Sequence, residues 1–281
     1  MSRVFRYSLL GVLALLLLLL LAVGLLLGTQ AGSRWALGLV PGLQLENFQG
    51  RLAGQWQADR LLWEQGADRV ELLAPVFAWS PHCLLRMTLC IERLQADQVN
   101  LAFAPGEPST DSGPLQLPGL KLPLAIELGE VRIGHLRLDG NEQLSQLQLA
   151  AHWTVAGLQI DSLQLQRDDL HLSLQGLIQP EGGWPLQLKG QLQLPKVDGQ
   201  DWQLALQIDG ELQKTLKLTG DSSGYLNARL KGELQALAEQ LPATLQISAQ
   251  AFKPGAELPD TLQLNNLELS AKGNLQSGYQ L

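Results

Sequence analysis

Charged side chains are scarce in this sequence of 281 residues: Asp, Glu, Lys and Arg make up 17% of it, against about 25% in ordinary globular proteins. The formal net charge is −7. Nucleic acids and anionic lipid surfaces are bound through an excess of positive charge, so this composition argues against a nucleic-acid partner and against a polybasic membrane patch. Glutamine fills many positions where a soluble protein would carry lysine or glutamate, which predicts a polar but nearly uncharged surface.

Aromatic residues and catalytic motifs are also sparse. Aromatic side chains make up 5% of the chain, whereas a compact β-sandwich normally fills its centre with aromatic and β-branched residues. The sequence has no P-loop or HExxH motif. Its histidines, His82, His135, His152 and His171, are scattered along the chain. We therefore expect a protein that binds or supports other molecules, with no enzyme activity, catalytic residue or cofactor.

Cysteine is limited to Cys83 and Cys90. In an exported chain, two cysteines so close in sequence favour one disulfide that closes a short loop. The alternative is a pair of reduced, buried thiols. A zinc site would need more ligands than these two cysteines and the neighbouring His82 provide, so we expect no metal site.

One long hydrophobic run contrasts with these absences. Residues 9–27 contain no charged or hydrogen-bonding side chain, and they follow Arg3 and Arg6. As a helix rising about 1.5 Å per residue, this run would be about 28 Å long, close to the ~30 Å hydrocarbon core of a bilayer. The positive-inside rule then keeps residues 1–8 in the cytoplasm and exports the rest. The alternatives are a cleaved signal peptide, with a weak cleavage site at residues 29–31, and a helix buried in a soluble core.

The exported part follows a β pattern. From residue 120 onward, apolar residues (mostly leucine) alternate with polar residues (mostly glutamine), which places them on opposite faces of successive strands. On this alternation Trp153 and Val155 share the apolar face. Helical spacing at residues 234–241 predicts a brief helix inserted in the sheet. The pattern predicts either an elongated, curled antiparallel sheet with an apolar face left open, or an ordinary sandwich whose leucine faces bury each other.

Before residue 105 the pattern is less regular. A short helix is predicted over residues 31–39, ended by Pro41 and Gly42. Short strands are predicted at residues 43–48, 52–56, 60–64, 70–79, 91–96 and 99–104. The predicted organisation is a cytoplasmic N-terminus at 1–8, a transmembrane helix at 9–27, a periplasmic β region at 28–104, a Pro/Gly-rich loop at 105–119 and a β-groove at 120–281.

Several short motifs lie between residues 42 and 103. They are Glu46-Asn47-Phe48, then Gly50, Leu52 and Gly54, then Trp79, Pro81 and Cys83-Leu84, then Cys90-Ile91 and Leu94. With these motifs the segment resembles the start of the TamB proteins, which belong with the AsmA-like, bridge-type lipid-transfer proteins of the Gram-negative envelope. The leucine-rich run before it and the leucine/glutamine strands after it fit the same group.

The resemblance implies a fold, a location and a function. It implies a single-pass inner-membrane anchor that carries a long periplasmic sheet, curled like a taco into an apolar groove. Phospholipid acyl chains would move along this groove between the inner and outer membranes. It also implies an outer-membrane barrel partner, TamA, bound through a C-terminal region absent here, and a link to outer-membrane protein and autotransporter assembly. Because the family members are several times longer, we expect this sequence to be an N-terminal part.

Two hypotheses follow from residues and resemblance together. The first is a phospholipid conduit whose apolar face stays open, and the second is a structural scaffold for outer-membrane assembly whose apolar faces close on each other. The residues predicted to line the groove are Leu147, Leu149, Trp153, Leu172, Leu174, Leu188, Leu192, Leu204, Leu206, Ile208, Leu230, Leu264 and Leu269.

Overall fold

The computed structural model describes residues 3–103, 117–252, 264–275 and 278–280. Most of the described residues lie in antiparallel β-strands, as the alternation predicts. The chain divides into two compact units, Met1–Ala104 with Arg132–Glu142, and Pro105–Val131 with Gln143–Leu281. Most of the loop expected at residues 105–119 lies outside the described residues.

Two helices begin the first unit. Helix α1 (Arg3–Gly28) contains the leucine-rich run, and α2 (Gln30–Gly38) corresponds to the helix expected over residues 31–39. Thr29 separates them, and its side chain accepts a hydrogen bond from the backbone N–H of Gly32, which caps α2. Within the described part of the chain, no single helix is long and apolar enough to cross a membrane. Two neighbouring helical segments, Ala14–Gly28 and Gln30–Gly38, are long and apolar enough only when they are taken together. They are bent by 92° relative to each other.

In the sheet of the first unit, short strands follow one another end to end, so that two short strands pair with different halves of one long strand. β7 pairs with β5 along its second half and with β6 along its first half, so that β1–β4–β5–β7 and β2–β3–β6–β7 are the two runs of neighbours. A 3₁₀ helix, Pro81–Arg86, connects β6 to β7. The strands are β1 (Leu43–Glu46), β2 (Gln49–Gly50), β3 (Gln55–Gln57), β4 (Arg60–Gln65), β5 (Asp68–Leu73), β6 (Val76–Ser80) and β7 (Thr88–Ala102). Two further strands, β8 (Ala125–Leu138) and β9 (Asn141–Leu144), are divided between the units, and the first unit contains their residues from Arg132 to Glu142.

Two residues with left-handed backbone interrupt the side-chain alternation in this sheet and keep its apolar residues on one side. Asn47 and Ala74 adopt left-handed backbone, with φ of 52° and 48°. Each interruption shifts the alternation by one residue. Leu45 and Phe48 therefore lie on the same apolar face, three residues apart instead of two, and so do Leu72 and Pro75. Phe48 is 2% exposed, and Pro75 is buried. The single strand predicted over residues 70–79 is therefore wrong, because Ala74 divides it into β5 and β6.

The opposite face of the first unit carries a charge cluster. Arg60 Nε donates to Glu71 Oε1 at 2.6 Å, and Arg60 Nη1 donates to Glu46 Oε1 at 3.1 Å. Asn100 Nδ2 donates to Glu71 Oε2 at 3.2 Å, and Arg69 Nη2 lies 3.7 Å from the same oxygen. Partial burial raises the pKa of Glu71, but the hydrogen bonds from Arg60 and Asn100 and the two positive charges outweigh it, so this pKa lies below its usual 4.5.

Glu71→Gln should lower the stability of the first unit at pH 7 and have less effect in acid. A carboxylate whose pKa is lowered by folding stabilises the fold above its unfolded pKa, and this stabilisation is lost as the pH falls through the folded pKa. We expect a loss of about 1 kcal/mol at pH 7 that shrinks below pH 4.5. Thermal unfolding at pH 7 and in acid measures it. Glu64→Gln, at an exposed pair with Arg69, is the control, and an equal loss at both pH values would contradict the assignment.

The second unit is a meander in which each strand from β10 onward pairs with the next one along the chain. β10 also pairs with β8. The strands are β10 (Gln146–Thr154), β11 (Gly157–Arg167), β12 (Leu170–Ile178), β13 (Pro185–Val197), β14 (Gln200–Glu211), β15 (Leu216–Gly224), β16 (Ala228–Leu234), β17 (Ala243–Phe252), β18 (Leu264–Asn274) and β19 (Gly278–Gln280).

Two expectations for this unit are wrong. The segment predicted to be a helix at residues 234–241 forms turns between β16 and β17, because it is too short to repay the cost of nucleating an α-helix. Leu241 also takes left-handed backbone there, with φ of 45°. Val155, expected beside Trp153 on the apolar face, lies in the turn between β10 and β11 and is fully exposed.

Candidate functional site

The strand register of the second unit aligns apolar residues in rows that cross the strands. Residues paired across antiparallel strands share a face, so each row runs over many strands on one side of the sheet. We call this side the leucine face. Its first row contains Leu147, Leu165, Leu172, Leu192 and Leu204. Its second row contains Leu149, Leu163, Leu174, Gly190, Leu206, Gly220, Leu230, Ile247 and Leu269.

Two further rows complete the leucine face. The third contains Ala151, Ile160, Gly176, Leu188, Ile208, Leu218, Gly232, Leu245 and Ala271. The fourth contains Trp153, Leu158, Ile178, Leu186, Gly210, Leu216, Leu234, Ala243 and Gly273. The rows bring together every residue predicted to line the groove except Leu264. That residue pairs with Phe252, whereas Leu269 pairs with Ile247 in the second row, and the side chain of Leu264 lies outside the described residues.

The predicted lining residues of the leucine face remain partly open to solvent. Leu269 is 42% exposed, and the other lining residues in the rows are all half-buried. Two leucine faces closed on each other in a sandwich would bury such central positions almost completely. Near-complete burial occurs at one end of the third row, at Ala151 and Ile160, and in the fourth row, where Leu186 and Leu216 are each 6% exposed. Both pair with Gly210, which leaves room for their side chains.

Glycines occupy regular positions in the rows, and neighbouring leucines cover them. A Cβ added at Gly220 would lie 3.0 Å from Leu206 Cδ2 and 3.3 Å from Leu204 Cδ1. At Gly190 the nearest leucine carbons, on Leu172 and Leu174, would be 3.8 Å away. The leucine side chains therefore spread over the glycine positions. The face presents a nearly unbroken apolar surface with no polar side chain in its second, third and fourth described rows before β18.

The opposite face is polar. Gln164, Ser173 and Gln191 are aligned across β11, β12 and β13. Two shallow depressions of about 280 and 520 Å³ are lined mainly by side chains of this face. Amide and hydroxyl groups share this face with charged side chains such as Asp161, Lys189 and Asp221.

A short extended segment runs along one end of the second unit. The carbonyl of Pro118 accepts a hydrogen bond from Trp184 Nε1 at 3.3 Å, and the N–H of Leu120 donates to the carbonyl of Pro180 at 2.8 Å. Leu120 and Leu122 line a cavity of about 430 Å³ together with Trp153. The fourth row of the leucine face therefore ends at a partly apolar cavity.

Titratable groups form pairs at the surface. His152 Nδ1 lies 2.9 Å from Asp161 Oδ2, and His135 Nδ1 lies 2.9 Å from Glu142 Oε1. Both histidines keep at least two fifths of their side-chain surface in solvent. Among the residues that the structure describes, no group of three His, Cys, Asp or Glu side chains is arranged to hold a metal ion.

Cys83 and Cys90 form a disulfide, with their Cα atoms 6.0 Å apart. The bond joins the 3₁₀ helix between β6 and β7 to the first residues of β7. The disulfide expected from the sequence is thus present in the structure, in place of two reduced thiols.

Comparison with known families identifies the family of this chain. The family described as "TamB, N-terminal domain" matches residues 19–116 and 107–281. This chain belongs to that family. The resemblance inferred from residues 42–103 is thereby confirmed, and it extends over the leucine face.

A relative in Haemophilus influenzae (strain ATCC 51907 / DSM 11121 / KW20 / Rd) bears the name translocation and assembly module subunit TamB. It is 29% identical to this chain over 140 residues, which cover 47% of this chain and 11% of the relative. The chain therefore aligns with a small part of that relative's length. No solved structure matches this chain.

Proposed function

We propose that this chain is the membrane-proximal part of an envelope protein, and that its leucine face gives phospholipid acyl chains an apolar path through the periplasm. The observation that carries the proposal is the face itself, on which most of the leucines aligned across strands β10–β18 are half-buried instead of fully covered. Each methylene group exposed to water costs about 0.8 kcal/mol. An acyl chain outside a bilayer therefore gains most from a surface that offers continuous apolar contact.

The regularity of the leucine face suits movement as well as binding. A lipid slides only where successive positions bind it about equally, because a deep local pocket would trap it. Apolar residues and glycines fill the second, third and fourth rows from β10 to β17. Leucines spread over glycines such as Gly190 and Gly220. The acyl chains would lie along the rows, and the headgroups would stay in water at the rim of the sheet.

The N-terminal helix supplies the proposed anchor. Arg3 and Arg6 precede the uncharged residues 9–27 in sequence, which favours a cytoplasmic N-terminus and an exported sheet. At the other end of the run, α2 turns away from α1 by 92°. A helix perpendicular to a membrane-spanning helix lies along the membrane surface, where exposed Trp35 and Leu39 would meet the interface.

A second candidate function is support of the translocation and assembly module, because that is the name of the relative in Haemophilus influenzae. In that function the sheet would act as a scaffold, and the outer-membrane barrel partner TamA stays a prediction. In either function we propose that the chain binds other molecules and does not catalyse a reaction, since the described histidine–carboxylate pairs are exposed surface pairs.

Photo-crosslinking in cells tests the lipid path. A photoreactive amino acid at Leu188, Leu206 or Leu230 should capture phospholipid, because these positions lie in the central rows of the leucine face. The same amino acid at Gln207, on the polar face of β14, is the matched control and should capture about tenfold less. Mass spectrometry of the adducts identifies the lipid. Capture of no phospholipid at the leucine positions, in cells where the chain is folded, would contradict the proposal.

A further inference from the structure

The connection between β6 and β7 exposes an apolar surface that the lipid path does not use. Leu84 is 44%, Leu85 90% and Met87 62% exposed. We call residues 84–87, which also include Arg86, the clamped tip. Single exposed leucines are common on proteins, but three large apolar side chains within four residues form a projecting patch.

The clamped tip is held in shape by its surroundings. The disulfide between Cys83 and Cys90 closes the loop at its base. The N–H of Met87 donates to the carbonyl of Leu84 at 3.0 Å, and Met87 itself takes left-handed backbone with φ of 56°. Ser80 pairs with Cys90 in the strand register below the loop. The apolar side chains are therefore kept outward and cannot easily fold back onto the sheet.

A short series of hydrogen bonds connects the clamped tip to the end of α1. The carbonyl of Leu27, at the end of the hydrophobic run, accepts a hydrogen bond from the N–H of Ala53 at 2.8 Å. The carbonyl of Leu52 accepts one from Trp79 Nε1 at 2.6 Å, and that of Gly54 accepts one from the N–H of Trp79 at 3.2 Å.

Trp79 lies two residues before Pro81, where the 3₁₀ helix begins. At about 3.3 Å per extended residue, the first residue of that helix lies within roughly 20 Å of the end of α1.

Buried contacts hold α1 and α2 to the same part of the sheet. Ser33 is fully buried, its Oγ donates to the carbonyl of Leu27, and it accepts from the N–H of Leu52 at 2.9 Å. Arg34 Nη2 donates to the carbonyl of Phe48 at 3.0 Å. If α1 spans a bilayer, these contacts keep the turn at residues 51–54 at the bilayer surface, and the clamped tip close to it.

The charge of the clamped tip suits a lipid surface. Between Pro81 and Leu89 the sequence has Arg86 and His82 but no acidic residue, although the whole chain carries a net charge of −7. Apolar side chains next to a cation are the combination with which monotopic proteins enter the headgroup region.

We propose that the clamped tip inserts into the surface of the bilayer that α1 enters, and gives the protein a second membrane contact. This inference rests on the proposed anchor. The two contacts together would fix the orientation of the first unit on the membrane, because a single helix leaves the exported part free to rotate about its axis. Leu85 would lie deepest, with Arg86 at the phosphate level.

Depth-dependent quenching tests this proposal on the full chain. The chain is reconstituted in phosphatidylethanolamine–phosphatidylglycerol vesicles that contain acyl-brominated phosphatidylcholine. A fluorescent amino acid replaces Leu85 in one preparation, and Val155, another fully exposed apolar residue, in the control. We expect quenching at residue 85 to exceed that at residue 155 by about threefold or more. Replacing both cysteines by serine should reduce the difference, because the tip is then no longer clamped.

A third probe position separates this proposal from the proposed anchor. The fluorescent amino acid at Leu18, in α1, reports insertion of the helix. Quenching at residue 18 without quenching at residue 85 would overturn the tip proposal and leave the anchor intact. Absence of quenching at residue 18 would instead overturn the anchor. Crosslinking of residue 85 to a protein, with no quenching by lipid, would replace the bilayer by a protein partner and also overturn the proposal.

Discussion

Replacing Leu206 by glutamate is expected to reduce phospholipid capture on the leucine face about tenfold or more, while the chain keeps its β-sheet. Leu206 lies in the second row between Gly190 and Gly220 and is half-buried. A carboxylate at this position can stay hydrated in the free protein, so folding is affected little. An acyl chain that passes it must displace that water, which removes the advantage of the apolar path. Capture by a photoreactive residue at Leu230, in the same row, measures the effect.

A matched variant and a folding measurement distinguish loss of the lipid path from loss of the fold. Gln207→Glu adds the same charge to the neighbouring residue on the polar face and should leave capture at residue 230 unchanged. Circular dichroism and limited proteolysis should be the same for both variants. If Leu206→Glu unfolds the sheet and Gln207→Glu does not, the leucine face is a closed core. That outcome would favour the scaffold function over the conduit.

Alternation in the sequence was sufficient to predict most of the residues that share the leucine face, although it wrongly placed Val155 there. Strand residues point alternately to two sides, and each strand of the second unit pairs with the next one along the chain. Under these conditions, a period of two places Leu188 and Leu206 on one face without any knowledge of long-range contacts. Turn residues between the strands, such as Asp198 and Gly199, fixed the reversals.

The same reasoning was insufficient wherever distant contacts decide the backbone. Nothing in the sequence around Ala74 signals left-handed backbone, because alanine rarely adopts it without support from neighbouring strands. The spacing of Leu234 and Leu237 resembles a helix, but strands on both sides leave the segment too short. Whether the leucine face is covered depends on a second layer, which alternation within one sheet cannot reveal. The partial exposure of the predicted lining residues was therefore knowable only from the structure.

Gly176→Ala should destabilise the second unit strongly. Gly176 lies in the third row at φ of 148°, a conformation that side-chain-bearing residues rarely adopt. An added Cβ would also lie 2.1 Å from the carbonyl oxygen of Gln187 and 2.8 Å from Leu188 Cα, both on β13. Because backbone atoms of a paired strand cannot move aside cheaply, we expect a loss of about 3 kcal/mol. Thermal unfolding should show a midpoint about 10 °C lower.

The control for this variant is Gly119→Ala, where an added Cβ has no atom within 4 Å. Its midpoint should stay within about 1 °C of that of the unaltered chain.

Comparison of Gly176→Ala with Leu206→Glu also separates the roles of glycine and leucine on the same face. Leu206→Glu should reduce capture about tenfold or more in a folded protein, whereas Gly176→Ala should lower capture only in proportion to the protein that unfolds. A Gly176→Ala chain that melts normally would contradict the close pairing of β12 with β13, and with it the alignment of Gly176 and Leu188 in the third row.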